Sequence, residues 1–186
     1  MIRSRLEIED LDFGGAFVIK PYWFEDDRGL FVKSFTDEML ARRGVPANFA
    51  EEFMSVSRKG VIRGFHYQRG EHSQAKLVWC LKGEIFDVIV DLRRKSRTYG
   101  KHKSIVLSSE NMHTLYIPQG FAHAFKTVSD EACMLYKMSR PYSPQDECGI
   151  IYNDEDLNVP WPEPENATVS EKDGKWPRFS DCIKFD

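Results

Sequence analysis

The chain has 186 residues, of which 41% are hydrophobic and 30% charged, with a formal net charge of -3. That length is enough to bury one substantial core and points to a single domain over 1–186. The balance lacks the basic excess of a nucleic-acid binder, so any anionic ligand has to meet locally placed cations.

The first twelve residues carry charges at Arg3, Arg5, Glu7, Glu9, Asp10 and Asp12 and lack the apolar stretch of a signal peptide. The longest apolar region, Ile85 to Val90, is interrupted by Asp87 and is too short to span a bilayer. A cytoplasmic protein with no membrane partner is expected. In chain order, a short helix is expected from Thr36 to Arg43: Thr36 caps, Asp37 and Glu38 suit the first turn, Arg42 and Arg43 the last, and Gly44 then Pro46 stop it. Strands follow at Val61 to Gln68, Lys76 to Leu81, Glu84 to Leu92, Lys103 to Leu107, His113 to Ile117, His123 to Val128 and Cys133 to Met138. Within the third of these, Phe86, Val88, Val90 and Leu92 share one face and Ile85, Asp87, Ile89 and Asp91 the other, so the strand is apolar on both sides. Short strands between Gly, Pro, Asn and Asp clusters describe an all-β fold, a double-sheet jelly roll with short peripheral helices. Beyond Ile150 the composition turns to Asp, Glu, Asn and Pro, and 151–186 is expected to be an irregular C-terminal wrap anchored by Trp161 and Trp176. Cys80, Cys133, Cys148 and Cys182 lie far apart without a CxxC pair, and all four are expected to be reduced.

Arg63, His66, Gln68 and Lys76 form the densest polar cluster inside strand-like sequence. Strands of a small barrel rarely point this many charge carriers inward unless the lumen is a binding site. His123 follows the Pro118-Gln119-Gly120 turn, and Tyr136 alternates with Met134 and Met138, which sets its hydroxyl on an otherwise apolar wall. Each of these is equally a satisfied core residue when taken alone; together they form a positive site that calls for an anion. The metal-binding cupin spacing G-x5-H-x-H followed by P-x-G-x2-H-x3-N is met by Gly60, His66, Pro118, Gly120 and His123. Gln68 and Thr127 replace two of the ligands, so a metal site is not expected.

The motifs Phe24-x-Asp26-x-Arg28-Gly29-x-Phe31, Gly60-Val61-Ile62-Arg63-Gly64-Phe65-His66-Tyr67-Gln68, Gly83-Glu84-Ile85-Phe86-Asp87-Val88, Ile117-Pro118-x-Gly120-Phe121-Ala122-His123, Tyr142-x-Pro144-x2-Glu147-x-Gly149 and Ser170-Glu171-Lys172-Asp173 resemble the RmlC-type dTDP-4-dehydrorhamnose 3,5-epimerases, a family of the cupin superfold. The resemblance runs from Val18 to Asp173. It implies a cofactor-independent isomerase of deoxysugar and surface-polysaccharide biosynthesis, with His66 as general base, Asp173 orienting it, Lys76 near the sugar's 4-oxygen and Tyr136 as the acid on the opposite face. It further implies that Arg28, Arg63, His123, Tyr142, Glu147 and Lys172 bind the nucleotide-diphosphate sugar, and that the protein is a homodimer exchanging N-terminal strands. The chemistry suits the residues: a 4-ketone acidifies the C3 and C5 hydrogens, an imidazole held by a carboxylate removes one, and a cation stabilises the enolate. No nicotinamide or metal is required.

Lys33, Glu51 and Phe53 depart from the family at substrate-contact positions, where a Glu and a Gln-Asp-Asn run are usual. These changes bear on specificity more than on proton abstraction. Glu51 is able to accept from an exocyclic amine, as on cytosine, which thymine lacks. The alternatives are thus a C5- or C3-only epimerase on a CDP- or dTDP-linked sugar and, from another class, a non-catalytic sugar-binding cupin.

Overall fold

The computed structural model describes residues 2–3 and 5–186, and it is a two-sheet β-sandwich. The fourteen strands are β1 (Ile2–Arg3), β2 (Glu7–Phe13), β3 (Ala16–Lys20), β4 (Tyr22–Asp26), β5 (Gly29–Lys33), β6 (Glu51–Arg58), β7 (Ile62–Gln68), β8 (Lys76–Lys82), β9 (Glu84–Asp91), β10 (His102–Ser108), β11 (Thr114–Ile117), β12 (Phe121–Thr127), β13 (Glu131–Met138) and β14 (Glu147–Gly149). One layer has the order β2-β3-β11-β8-β13-β6 and the facing layer β10-β9-β12-β7-β14, while β1-β4-β5 form a separate three-stranded sheet. Every pairing between these strands is antiparallel.

Three apolar clusters account for the strand patterns. Ile85 and Ile89 point between the layers with Val78, Leu115, Phe121, Phe125 and Met134. Val88 and Val90, from the other face of β9, and Leu92 just beyond its end pack with Phe65, Ala122, Ala124, Leu157 and Trp161 beneath the C-terminal wrap. Two buried faces make β9 apolar throughout, as the sequence implied. On the far side of the six-stranded sheet, Phe17, Ile19 and Leu77 receive Leu40 from the only α-helix among the described residues, α1 (Asp37–Ala41), which is shorter than expected. Thr36 caps it, accepting from the Met39 amide at 3.3 Å. The wrap over 151–186 has only 3-10 turns and isolated bridges.

Strands β1 to β6 and β14 escaped the sequence reading. All five residues of β5 are exposed, and β6 mixes polar and apolar side chains at the edge of its sheet, so neither shows a clean alternation. The first twelve residues, read there as merely charged, supply β1 and β2.

Candidate functional site

Between the two layers lies a cavity of about 450 Å³, lined by side chains from β6, β7, β8, β12, β13 and β14. His66 stands on β7 in the five-stranded sheet. Its Nε2 is 2.6 Å from Asp173 Oδ1. A carboxylate accepts only, so in the neutral imidazole the proton lies on Nε2 and Nδ1 carries the lone pair. Asp173 comes from the wrap and is buried, taking further hydrogen bonds from the Gly64 amide at 3.2 Å and the Trp176 indole at 3.2 Å. Burial alone would raise the Asp173 carboxyl, but the hydrogen bond and charge of His66, with the Gly64 amide and the Trp176 indole, bring it below its ordinary value. Two glycines allow close packing around the pair, Gly64 against β12 and Gly149 against Trp176. A Cβ on Gly64 would lie 2.5 Å from Ala124 Cβ, and one on Gly149 would lie 2.4 Å from the Trp176 ring.

Across the cavity, on β13 of the six-stranded sheet, Tyr136 is buried between the stacked ring of Phe53, with centroids 4.7 Å apart, and the edge of His123. Burial pushes the phenol well above its usual range, so it stays protonated through neutral pH. Lys76, on the neighbouring β8, is also buried and spends one N–H on the His66 carbonyl at 3.1 Å, which leaves donors for a ligand. Burial draws its ammonium down to about 8, against the opposing pull of Asp87 and Glu147. His123 pairs with His66 in the β7–β12 register, and its Nε2 donates to Asp87 Oδ2 at 2.7 Å. Arg63 is steadied by Ser57 Oγ at 2.9 Å.

The rim is a linked set. Glu51 accepts from the Tyr142 amide at 2.8 Å, Tyr142 donates its hydroxyl to Glu147 at 2.7 Å, and Lys172 pairs with Glu147 at 2.5 Å. One Glu51 oxygen is therefore committed to the loop, not free for a nucleobase. Gln68, in the place of a cupin histidine, is buried and ties that loop, through Pro141 O and the Ser143 amide, to His72 O of the β7–β8 connection. Among the described residues, no group of three or more His, Cys, Asp or Glu side chains could hold a metal ion.

His66, Lys76, Tyr136, Glu51, Phe53, Arg63, His123, Tyr142 and Glu147 all line the cavity, and Asp173 and Lys172 flank His66 in an adjoining cleft. Arg28 and Lys33 do not. They stand on the exposed β4–β5 hairpin, where Arg28 pairs with Asp26 at 2.6 Å. Several residues of the site were missed, among them Ser55, Gln74 and Phe125 in the cavity lining. Asp87 was legible as a carboxylate in an apolar strand, sharing a face with Ile85 and Ile89, and Trp176 registered only as an apolar anchor.

A family model described as dTDP-4-dehydrorhamnose 3,5-epimerase matches residues 10–181. The chain is 42% identical over 182 residues to the Escherichia coli K12 dTDP-4-dehydrorhamnose 3,5-epimerase, covering 97% of this chain and 96% of that one. It superposes with a TM-score of 0.90 and 36% identity on the Legionella pneumophila dTDP-6-deoxy-D-glucose-3,5-epimerase solved with dTDP-4-keto-L-rhamnose, over 95% and 94% of the two chains. It also superposes, with a TM-score of 0.87 and 29% identity, on the 3'-monoepimerase ChmJ of Streptomyces bikiniensis solved with dTDP-quinovose, over 92% and 87%.

Proposed function

The chain belongs to the dTDP-4-dehydrorhamnose 3,5-epimerase family, and from that premise we propose that it inverts C3 and C5 of a dTDP-linked 4-keto-6-deoxy sugar, with His66 removing the proton at each carbon and Tyr136 supplying one to each from the other side. The observation that carries the assignment is the placement of the His66–Asp173 pair and Tyr136 on facing sheets, across one cavity. A flat enolate between two packed sheets presents one face to each layer. His66 Nδ1 takes the proton, the C–H electron pair moves into the enolate, and Lys76 stabilises the charge on the 4-oxygen. Inversion follows when the carbon takes the Tyr136 proton; the His66 imidazolium then releases its proton to solvent and the phenolate takes one from solvent, which resets the pair for the second carbon. Arg63 serves the diphosphate. Incubation with the dTDP-linked 4-keto-6-deoxyhexose, followed by NMR, should give a sugar inverted at C3 and C5. Recovery of unchanged sugar would overturn the reading, and equal turnover of the CDP-linked sugar would remove the thymidine preference.

Lys76 yields a signed pH dependence. Its pKa falls from 10.5 to about 8 on folding, so activity should decline as pH rises through about 8 and the cation is lost. The stability contribution runs the other way. Between about 8 and 10.5 the unfolded chain holds the proton that the folded one has released, so this residue's contribution to stability increases with pH over that window. Lys76→Arg, which keeps its charge, should move the alkaline limb of kcat upward. A wild-type kcat that is flat to pH 9.5 would contradict the role.

Arg28 and Lys33 fit the same reaction through a homodimer. The β4–β5 hairpin exposes Leu30, Phe31 and Val32, an apolar run that a second copy would cover while receiving Arg28 near its own cavity. Phe31→Glu should then shift the protein from dimer to monomer in light scattering and raise KM. A dimer of unchanged stability would argue against this packing.

A further inference from the structure

The inner face of β6 reads Glu51, Phe53, Ser55 and Ser57, in which one large apolar side chain stands among polar ones. Phe53 is 46% exposed, so core packing does not account for it, whereas Tyr136 beneath it is 7% exposed. The two are direct cross-strand partners in the β6–β13 register, with ring planes 16° apart. His123 closes the other side edge-on at 6.3 Å. A ring held between a stacked neighbour and an edge-on one has few rotamers left.

We propose that Phe53 is a positioning residue of the epimerisation: stacked on Tyr136, it holds the phenol hydroxyl toward the substrate face opposite His66 and so sets the ratio of inversion to proton return on the original face. The inference rests on the assignment of Tyr136 as the acid. Once His66 has taken the proton, the enolate has two exits. Carbon either takes the Tyr136 proton, which inverts it and leaves a phenolate to be reprotonated by solvent, or takes a proton back from the His66 imidazolium, which restores the starting configuration. In D2O the second exit is visible as deuterium in uninverted sugar, because the imidazolium exchanges with solvent.

The test is to run wild type, Phe53→Ala, Phe53→Leu, Phe53→Tyr, Tyr136→Phe and the Phe53→Ala/Tyr136→Phe double variant with the dTDP-linked 4-keto sugar in D2O. Deuterium in recovered substrate and in inverted product is then quantified by NMR, and folding is checked by thermal unfolding. Phe53→Ala should lower the inversion-to-exchange ratio about tenfold or more, with exchange itself within about threefold of wild type. Phe53→Leu, which keeps bulk but no flat ring, should lose the ratio as well, and Phe53→Tyr should retain it. In the Tyr136→Phe background, Phe53→Ala should change nothing further. Equal loss of exchange and inversion, an unchanged ratio, or an additive effect in the double variant would overturn the proposal. If Tyr136→Phe keeps the wild-type ratio, the acid assignment falls and this inference with it; if Tyr136→Phe collapses the ratio and Phe53→Ala does not, only the inference fails.

Discussion

His66→Ala should lower kcat by roughly 10²–10⁴-fold, the usual range for removing a positioned general base, while affinity for dTDP stays within about threefold. The separation follows from where the residue sits. On the proposed mechanism His66 meets the sugar ring through Nδ1, and its other nitrogen is held by Asp173 at 2.6 Å, whereas the rim cation Lys172 comes from the C-terminal wrap and Arg63, earlier on the same strand, is held separately by Ser57. Removing the imidazole leaves Asp173 buried but still bound by the Gly64 amide and the Trp176 indole, so the fold should survive with a modest fall in Tm. Titration calorimetry with dTDP and steady-state kinetics on the same preparation separate the two effects. Parallel loss of binding and turnover would point to collapse of the site, and retention of kcat would remove His66 from the mechanism.

Tyr136→Phe should lose inversion by roughly 10²–10⁴-fold while His66 continues to exchange substrate protons with solvent. The substitution removes one oxygen from a buried ring and keeps the stack on Phe53, so stability should change little. A phenol is useful here because burial keeps it protonated at neutral pH, ready to donate. Exchange without inversion, followed by NMR in D2O, is the signature. Wild-type inversion by this variant would move the acid to another group on the six-stranded sheet.

Much of this site was legible in the sequence because its residues interrupt strand patterns. His66, Lys76 and Tyr136 are polar side chains at inward positions of apolar strands, and β7, β8 and β13 bring all three to one cavity. The two-faced burial of β9 was readable from its lack of alternation. Other features were not readable, for distinct reasons. The contact between Asp173 and His66 spans 107 residues, and no local period reports it; it came only through a motif resemblance. Strands β4 and β5 have no buried face of their own, so their side chains carry no core signal, and Arg28 and Lys33 ride on them away from the cavity. Phe53 stands out in the sequence only as a departure from the family at a substrate-contact position, and its stack on Tyr136 follows from the β6–β13 register.

On the proposed mechanism protons leave the sugar toward His66 and return from the facing sheet. Wild-type protein given the dTDP-linked 4-keto-6-deoxyhexose in D2O, with NMR of the product, tests it most directly. One deuterium is expected at each of C3 and C5, with both carbons inverted. Inverted product carrying no solvent deuterium at either carbon would contradict it.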